Sequence, residues 1–384
     1  MKKILITGSK GFIGKNLYIR LMETKEYQII EFDLGNTIDE LEENIKQADF
    51  IVHLAGSNRP KDISEYTEVN FGFTEIILNI IKKNRLTIPV IFSSSTQAEL
   101  DNPYGKSKLA AEELLINYGI EQKLNFYILR LTNVFGKWCR PNYNSAVSTF
   151  CNNIAKDLPI RVDNSESILN LVYIDDVVNK IIELINSNNI HNPNNSIEVL
   201  PNYSVTLGDL VSLIKSFKES RNTLLLPDVS DEFVKKLYTT YLSYLDETDF
   251  SYKLQTNVDN RGDLTELIKS PKFGQFFIST TKPGITRGNH YHHTKTEKFI
   301  VIKGEAEICF RKIINNNNQT SLDFNSRPPI INYIVNGNNI TPVDIPPGYT
   351  HSIKNIGQEE LITLFWASEI FNNEKPDTTF LTVE

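Results

Sequence analysis

The stretch Ile4-Leu5-Ile6-Thr7-Gly8-Ser9-Lys10-Gly11-Phe12-Ile13-Gly14 reads as a strand, a glycine-spaced turn and the start of a helix near Phe12. In that context the pattern GxxGxxG suits a dinucleotide. Glycines permit the tight turn and let the backbone approach a pyrophosphate, which rests on the helix N-terminus. Gly8, Lys10, Gly11, Phe12, Ile13 and Gly14 are therefore candidate cofactor contacts. Asp33 closes the strand-like run Gln28–Asp33, 19 residues after Gly14. A carboxylate there would bind the ribose 2′-hydroxyl of NAD and repel the 2′-phosphate of NADPH. Lys10 and Arg59 could offset that repulsion, and Asp33 could also be a solvated strand end, so both cofactors stay open.

Working outward, Phe50–Ala55, Val90–Ser94 and Phe126–Leu131 are further strand-like runs. Between them lie residues at helical spacing, such as Leu17, Leu21 and Met22, or Ile76, Ile77, Ile80 and Ile81. Strands alternating with helices predict a doubly wound parallel sheet of Rossmann type. The alternation fades after Leu245, and from Asn257 the pattern is short strands broken by Gly, Pro and Asn. Phe276–Thr280, Glu297–Ile302, Ala306–Phe310, Thr341–Ile345 and Leu361–Phe365 predict an all-β barrel or sandwich. The expected domains are 1–248 and 249–384, and Asn315–Gln319 reads as an exposed hairpin tip.

The 384 residues, 40% apolar and 23% charged, suit a globular chain of two or three domains. A net charge of −7 argues against a nucleic-acid partner. Cys139, Cys151 and Cys309 form neither a disulfide framework nor a zinc pair, which fits a reducing cytoplasm. No run approaches the roughly 18 apolar residues of a membrane span. The first residues are too short an apolar stretch for a signal peptide, so a cytoplasmic protein without a membrane partner is expected.

Tyr104-Gly105-Lys106-Ser107-Lys108 sets Tyr104 and Lys108 four apart on one helix face, and Ser93-Ser94-Ser95-Thr96 ends a strand before them. Reducing a ketone needs a hydride on carbon and a proton on oxygen. A phenol with a pKa of about 10 exchanges protons poorly at neutral pH. A nearby ammonium stabilises the phenolate and lowers that value. With the glycine loop, His53-Leu54-Ala55-Gly56 (expected after a fourth strand), Asn70, Arg130–Gly136 and Val172–Val177, this spacing resembles the extended short-chain dehydrogenase/reductase family over about residues 1–245. The resemblance implies Tyr104 as general acid, Ser95 (or neighbouring Thr96) on the reacting oxygen, and Lys108 on the nicotinamide ribose. It also implies cofactor contacts at Leu54, Ala55, Gly56, Arg59 and Asn70. Asn133, Trp138, Arg140 and Asn142 fall where relatives bind a nucleotide-sugar, although Trp138 could equally be core. Dehydratases of the family carry an acidic pair after the Ser/Thr. Thr96-Gln97-Ala98 stands here, favouring reduction or epimerisation over loss of water.

Four of the six histidines lie in the second half. Gly284-x5-His290-x-His292-x4-Glu297-x6-Gly304 and Pro346-Pro347-Gly348-Tyr349-Thr350-His351-x3-Asn355 resemble the two cupin motifs, except that Ile340 replaces a glycine expected before the second. Histidines at i and i+2 of a strand share a face, from which His293 points away. Three imidazoles and a carboxylate suit zinc or another first-row divalent ion, with open positions for a substrate oxygen. Asp259–Glu266 and the run Gln275 to His290, including Arg287, resemble dTDP-4-dehydrorhamnose 3,5-epimerases. That resemblance implies His290 as a base that removes a proton beside a ketone and Arg287 as a substrate contact, so His290 is either ligand or base. If it is a ligand, Lys298, Tyr291, Glu297 and His293 are the candidates to move the C3 proton.

The pairing of the two halves resembles the bifunctional enzymes of bacterial capsule synthesis that make the precursor of UDP-N-acetyl-L-fucosamine. It implies C3 epimerisation of UDP-2-acetamido-2,6-dideoxy-4-hexulose by the cupin domain. The reductase domain would then reduce the C4 ketone with NADPH to UDP-2-acetamido-2,6-dideoxy-L-talose, in a homodimer. Two alternatives stand beside it. One is a UDP-sugar 4-epimerase or simple reductase whose cupin only dimerises or senses; the other is a nucleotide-sensing regulator, which would have no need of a proton donor.

Overall fold

Near-continuous apolar runs build the first sheet of the computed structural model, which describes residues 1–122, 124–187, 196–313 and 327–384. The Asn315–Gln319 run lies outside these residues. β1 (Lys2–Thr7), β2 (Tyr27–Phe32), β3 (Phe50–His53), β4 (Val90–Ser95) and β5 (Phe126–Leu131) pair in parallel in the order β2-β1-β3-β4-β5. Ile4, Leu5 and Ile6 are all fully buried, as a sheet covered on both faces requires. Leu5, Ile51, Val90 and Phe126 pack with Ile77, Ile81, Ala111 and Leu115 of the covering helices. His53–Gly56 follows the third strand, not a fourth, because no strand intervenes between β2 and β3. The strand order reverses between β1 and β3, so the loops after these two strands open one crevice, the usual ligand position of doubly wound sheets. A second sheet in this unit, β6 (Asn133–Phe135), β7 (Ile168–Tyr173) and β8 (Asn202–Thr206), is ordered β6-β7-β8.

The described residues divide into two compact units, 1–215 with 232–247 and 216–231 with 248–384. The second is antiparallel. β9 (Thr256–Asp259), β10 (Gly262–Ser270), β11 (Gly274–Thr281), β12 (Thr286–Tyr291), β13 (Glu297–Lys303) and β14 (Glu305–Lys312) are followed by β15 (Ile330–Asn336), β16 (Pro342–Ile345), β17 (Tyr349–Asn355), β18 (Leu361–Ala367) and β19 (Thr379–Phe380). They form two sheets, β16-β13-β18-β11-β10-β9 and β15-β14-β17-β12-β19. Burial alternates along β13, β14 and β18, so each strand turns one face to the other sheet. Phe299, Val301, Ile308, Phe310, Ile353 and Phe365 fill the space between. This is the expected Rossmann-type sheet followed by a cupin-like β domain. No helix among the described residues is long and apolar enough to cross a membrane.

Close backbone approach fixes two glycines of the first unit. A Cβ on Gly14 would lie 2.2 Å from the carbonyl oxygen of Gly8, and one on Gly105 would lie 2.1 Å from that of Gln97. Gly105 thus lets the helix Pro103–Gln122 start hard against the turn after β4. Gly105→Ala should cost about 1–3 kcal/mol through overpacking. The expected readout is a lower urea midpoint together with slower turnover, since the residue before it is Tyr104.

Candidate active site

In the first unit, β4 ends at Ser95, whose Oγ accepts the Gln97 N–H at 3.2 Å. Asn102 Oδ1 accepts the Gly105 N–H at 2.8 Å, capping the helix that carries Tyr104 and Lys108. The Tyr104 phenol hydrogen-bonds with Ser95; burial raises its pKa, and that hydrogen bond opposes the rise. Lys108 is 4% exposed. Its Nζ donates to the Ser93 carbonyl at 2.9 Å and stands 4.9 Å from the Phe92 ring centre. Burial pulls the ammonium down to about 8, against the opposing charge of Glu112. Glu112, itself buried, is held by the Ser94 hydroxyl and by Arg130, whose Nη2 lies 2.6 Å from it. His53 sits beneath, hydrogen-bonded to Thr7 at 2.7 Å and Thr74 at 3.0 Å, with burial and the Lys108 charge pushing it down to about 3.

A cleft of about 610 Å³ brings many of the expected residues together. Gly8, Lys10, Gly11, Phe12, Ile13, Gly14, Leu54 and Gly56 line it together with Ser95, Tyr104 and Lys108 and with Asn133, Trp138 and Arg140. Trp138 is 48% exposed, with Lys137 Nζ 5.4 Å from its ring, and therefore is not core. Arg140 stacks 5.2 Å from the Tyr143 ring.

Other expected residues are committed elsewhere. Asp33 accepts the Lys10 N–H at 2.6 Å and the Leu34 N–H at 2.8 Å, bracing the glycine loop. Ala55, beside Leu54, is not part of the cleft lining. Asn70 is buried behind the cleft, bonded to both main-chain groups of Ser57 and to Ser107 Oγ. Arg59 donates to the Tyr143 carbonyl. Asn142 gives its amide to Asn153 at 3.3 Å rather than to the cleft. Ser57, Thr132, Asn144, Leu169 and Leu171 also line it without having been expected. Leu169 and Leu171 come from β7, in the separate sheet, and no local pattern marks them.

In the second unit, ligand-type atoms of His290, His292, Glu297 and His351 all lie within 4.8 Å of one another. His290 on β12 pairs with His351 on β17 beside a bulge at Gly288, and Glu297 opens β13. Glu297 Oε2 is 3.4 Å from His292 Nε2 and 3.5 Å from His351 Nε2. Burial alone would raise the Glu297 carboxyl. The net shift is nevertheless downward, and the charge of Lys295, 3.1 Å from Oε1, favours the ionised form. Burial, then the neighbouring His351, pushes His290 down to about 4. Both Nε2 atoms of His292 and His351 are buried and without a hydrogen-bond partner. The other nitrogen of each ring faces a carbonyl, Asp377 for His292 at 2.5 Å and Tyr349 for His351 at 3.4 Å. A proton on Nδ1 leaves the Nε2 lone pair aimed into the cluster, the arrangement a metal ligand needs. The donor set therefore fits a first-row divalent ion.

His293 turns out against Tyr291, ring centres 5.4 Å apart, and Lys298 is engaged with Asp344. Arg287 donates to Thr281 Oγ1 at 3.1 Å and to the Thr280 carbonyl at 3.2 Å, with Asp259 3.9 Å away. Its guanidinium thus reaches from β12 to β11 of the other sheet and is largely occupied there.

Comparison with known proteins agrees with this division. The model of the NAD dependent epimerase/dehydratase family matches residues 4–199, and that of the polysaccharide biosynthesis C-terminal domain matches 257–379. The chain is 41% identical over 379 residues to the UDP-2-acetamido-2,6-beta-L-arabino-hexul-4-ose reductase of Pseudomonas aeruginosa, covering 98% of this chain and 97% of that protein. It also superposes on the crystal structure of the capsular polysaccharide assembling protein CapF from Staphylococcus aureus with a TM-score of 0.88 and 45% identity, covering 99% of this chain and 100% of that one. The UDP-glucuronic acid 4-epimerase of Bacillus cereus in complex with NAD, at 20% identity and a TM-score of 0.51 over 56% of this chain and 84% of that one, shares the fold of the first unit.

The Lys108 ammonium is charged below about pH 8 and neutral above it. A reaction that needs the charged form should therefore lose kcat/KM as pH rises through that value. Glu112→Gln removes a charge that raises the Lys108 pKa, so the alkaline limb should move to lower pH in a pH–rate profile.

Proposed function

This chain belongs to the NAD dependent epimerase/dehydratase family, and on that premise we propose that it reduces a UDP-linked 4-keto deoxysugar for capsular or surface polysaccharide. The reductase is assigned to residues 1–248 and a metal-dependent sugar epimerase to 249–384. The observation that carries the reading is the Ser95–Tyr104–Lys108 set, lining the same cleft as the glycine loop. The cofactor, when bound, supplies a hydride to C4. Tyr104 gives its phenolic proton to the carbonyl oxygen, Ser95 holds that oxygen, and Lys108 stabilises the phenolate left behind. The reductase named for Pseudomonas aeruginosa and the capsule protein of Staphylococcus aureus support the substrate class.

The finer reading is epimerisation at C3 of UDP-2-acetamido-2,6-dideoxy-4-hexulose, then NADPH-dependent reduction to UDP-2-acetamido-2,6-dideoxy-L-talose, by a cytoplasmic homodimer. His290, His292, Glu297 and His351 would hold zinc or a related ion, which would polarise the ketone and acidify the neighbouring C–H. His290 is read as a ligand because it shares the cluster with the other three. The Asp33 carboxylate, with both oxygens on loop amides, leaves NADH as the competing cofactor.

The test is cofactor oxidation by the purified protein given the 4-keto UDP-sugar, with NADPH and NADH compared before and after metal removal. Expected are NADPH oxidation, loss of turnover on chelation, and a fall of at least about 100-fold in Tyr104→Phe. The Tyr104→Phe protein should still exchange the C3 hydrogen with deuterium from D2O. No oxidation of either cofactor, with NAD retained through purification, would replace this reading by a UDP-sugar 4-epimerase.

A further inference from the structure

We propose that Asp377, 85 residues along the chain from His292, is a positioning residue for the metal ligands of the second unit. The inference rests on the metal reading above. His292 and Glu297 are joined by the connection between β12 and β13, which has no ladder partner of its own. Its amides need acceptors, because unpaired main-chain donors near a buried site are costly. Asp377 supplies them. Its Oδ1 accepts the His293 N–H at 2.9 Å, and its Oδ2 accepts the N–H groups of Thr294 at 2.7 Å and Lys295 at 2.8 Å. The Thr294 hydroxyl adds a bond at 2.9 Å. Three consecutive amides thus converge on one carboxylate, a charge-assisted arrangement stronger than neutral pairs.

The same residue acts directly on a ligand. Its main-chain carbonyl faces His292 Nδ1 at 2.5 Å and so selects the tautomer whose Nε2 lone pair enters the cluster. The next residue, Thr378, meets Lys295 Nζ at 3.4 Å, and that ammonium lies 3.1 Å from Glu297 Oε1. Lys295 thereby occupies one carboxylate oxygen and leaves Oε2 facing the cluster. Residues 377–378 therefore touch His292 directly and Glu297 through Lys295. The segment is fastened beyond this point. β19 pairs with β12 at His290↔Phe380, and the Leu381 N–H donates to the Asn289 carbonyl at 2.9 Å. The Thr350 hydroxyl, beside His351, donates to the Leu381 carbonyl. The end of the chain is therefore tied to β12 and β17, the strands that carry His290 and His351.

The test uses full-length protein loaded with Zn2+, and with Co2+ for its visible absorption. Asp377→Ala removes the carboxylate but keeps the main-chain carbonyl. It should transfer Zn2+ to a chromophoric chelator at least about tenfold faster and change the Co2+ spectrum. Asp377→Asn keeps the size and one acceptor oxygen, should fall between the two, and serves if the alanine variant fails to fold. NADPH binding to the cleft of the first unit should not change in either variant. Wild-type rates and spectra in both variants would overturn the proposal. So would a lower melting temperature alone, with spectrum and release unaltered, since that marks a purely structural tie. A wild-type protein that takes up neither ion would overturn the metal reading itself, a failure distinguishable from that of Asp377.

Discussion

A lysine ammonium sealed from water is the constraint around which the first unit's chemistry is arranged. Burying a charge is costly unless other groups replace its hydration. Around Lys108 the replacements are the Ser93 carbonyl, the face of Phe92 and, at longer range, the Glu112 carboxylate. Glu112 is tied in turn to Ser94 on β4 and Arg130 on β5, and Arg130 also reaches Glu99 at 2.8 Å. One electrostatic demand therefore links the strand that ends in Ser95 to the strand that leads into Asn133. The balance leaves Lys108 more easily discharged than a solvated lysine, with Glu112 opposing that loss.

The second unit meets the same difficulty with the sign reversed. Glu297 is a buried carboxylate facing two imidazole nitrogens that have no hydrogen-bond partner. An isolated buried anion would neutralise itself by taking a proton. Here Lys295 opposes that, and the carboxylate remains an acceptor. Ionised oxygen and neutral imidazole are the forms in which these groups bind metal. The proton that must be absent from each Nε2 is accommodated on Nδ1 by a main-chain carbonyl, firmly for His292 and more loosely for His351.

Both sites were legible in the sequence where their members share a local repeat. Tyr104 and Lys108 are one helical turn apart, His290 and His292 are two residues apart, and the glycine loop is a single turn. Local backbone geometry alone brings such groups together. What escaped depends on long-range packing or on where a side chain turns. Asp377 lies 85 residues from His292 and has no motif around it. Leu169 and Leu171 line the cleft because a second small sheet sits beside the first. Asn70 and Asn142 have the right type and neighbourhood for ligand contacts, yet their amides satisfy Ser57 and Asn153 instead. Residues 216–231 join the second unit although the chain returns to the first at 232, an interleaving no composition shift marks.

On the proposed reading, carbonyl chemistry alone dictates the order of the two steps. A proton at C3 can be removed only while C4 is a ketone, because the neighbouring carbonyl is what delocalises the resulting negative charge. Reduction replaces that carbonyl with an alcohol and ends the acidity of C3. Epimerisation must therefore come first, and its stereochemical result is fixed once the hydride has been delivered. Epimerisation itself interconverts two ketones of comparable energy and cannot go to completion unaided. Reduction withdraws one of them and draws the equilibrium after it. This coupling needs no passage of intermediate between the two units. It needs only a reductase that accepts one C3 epimer better than the other.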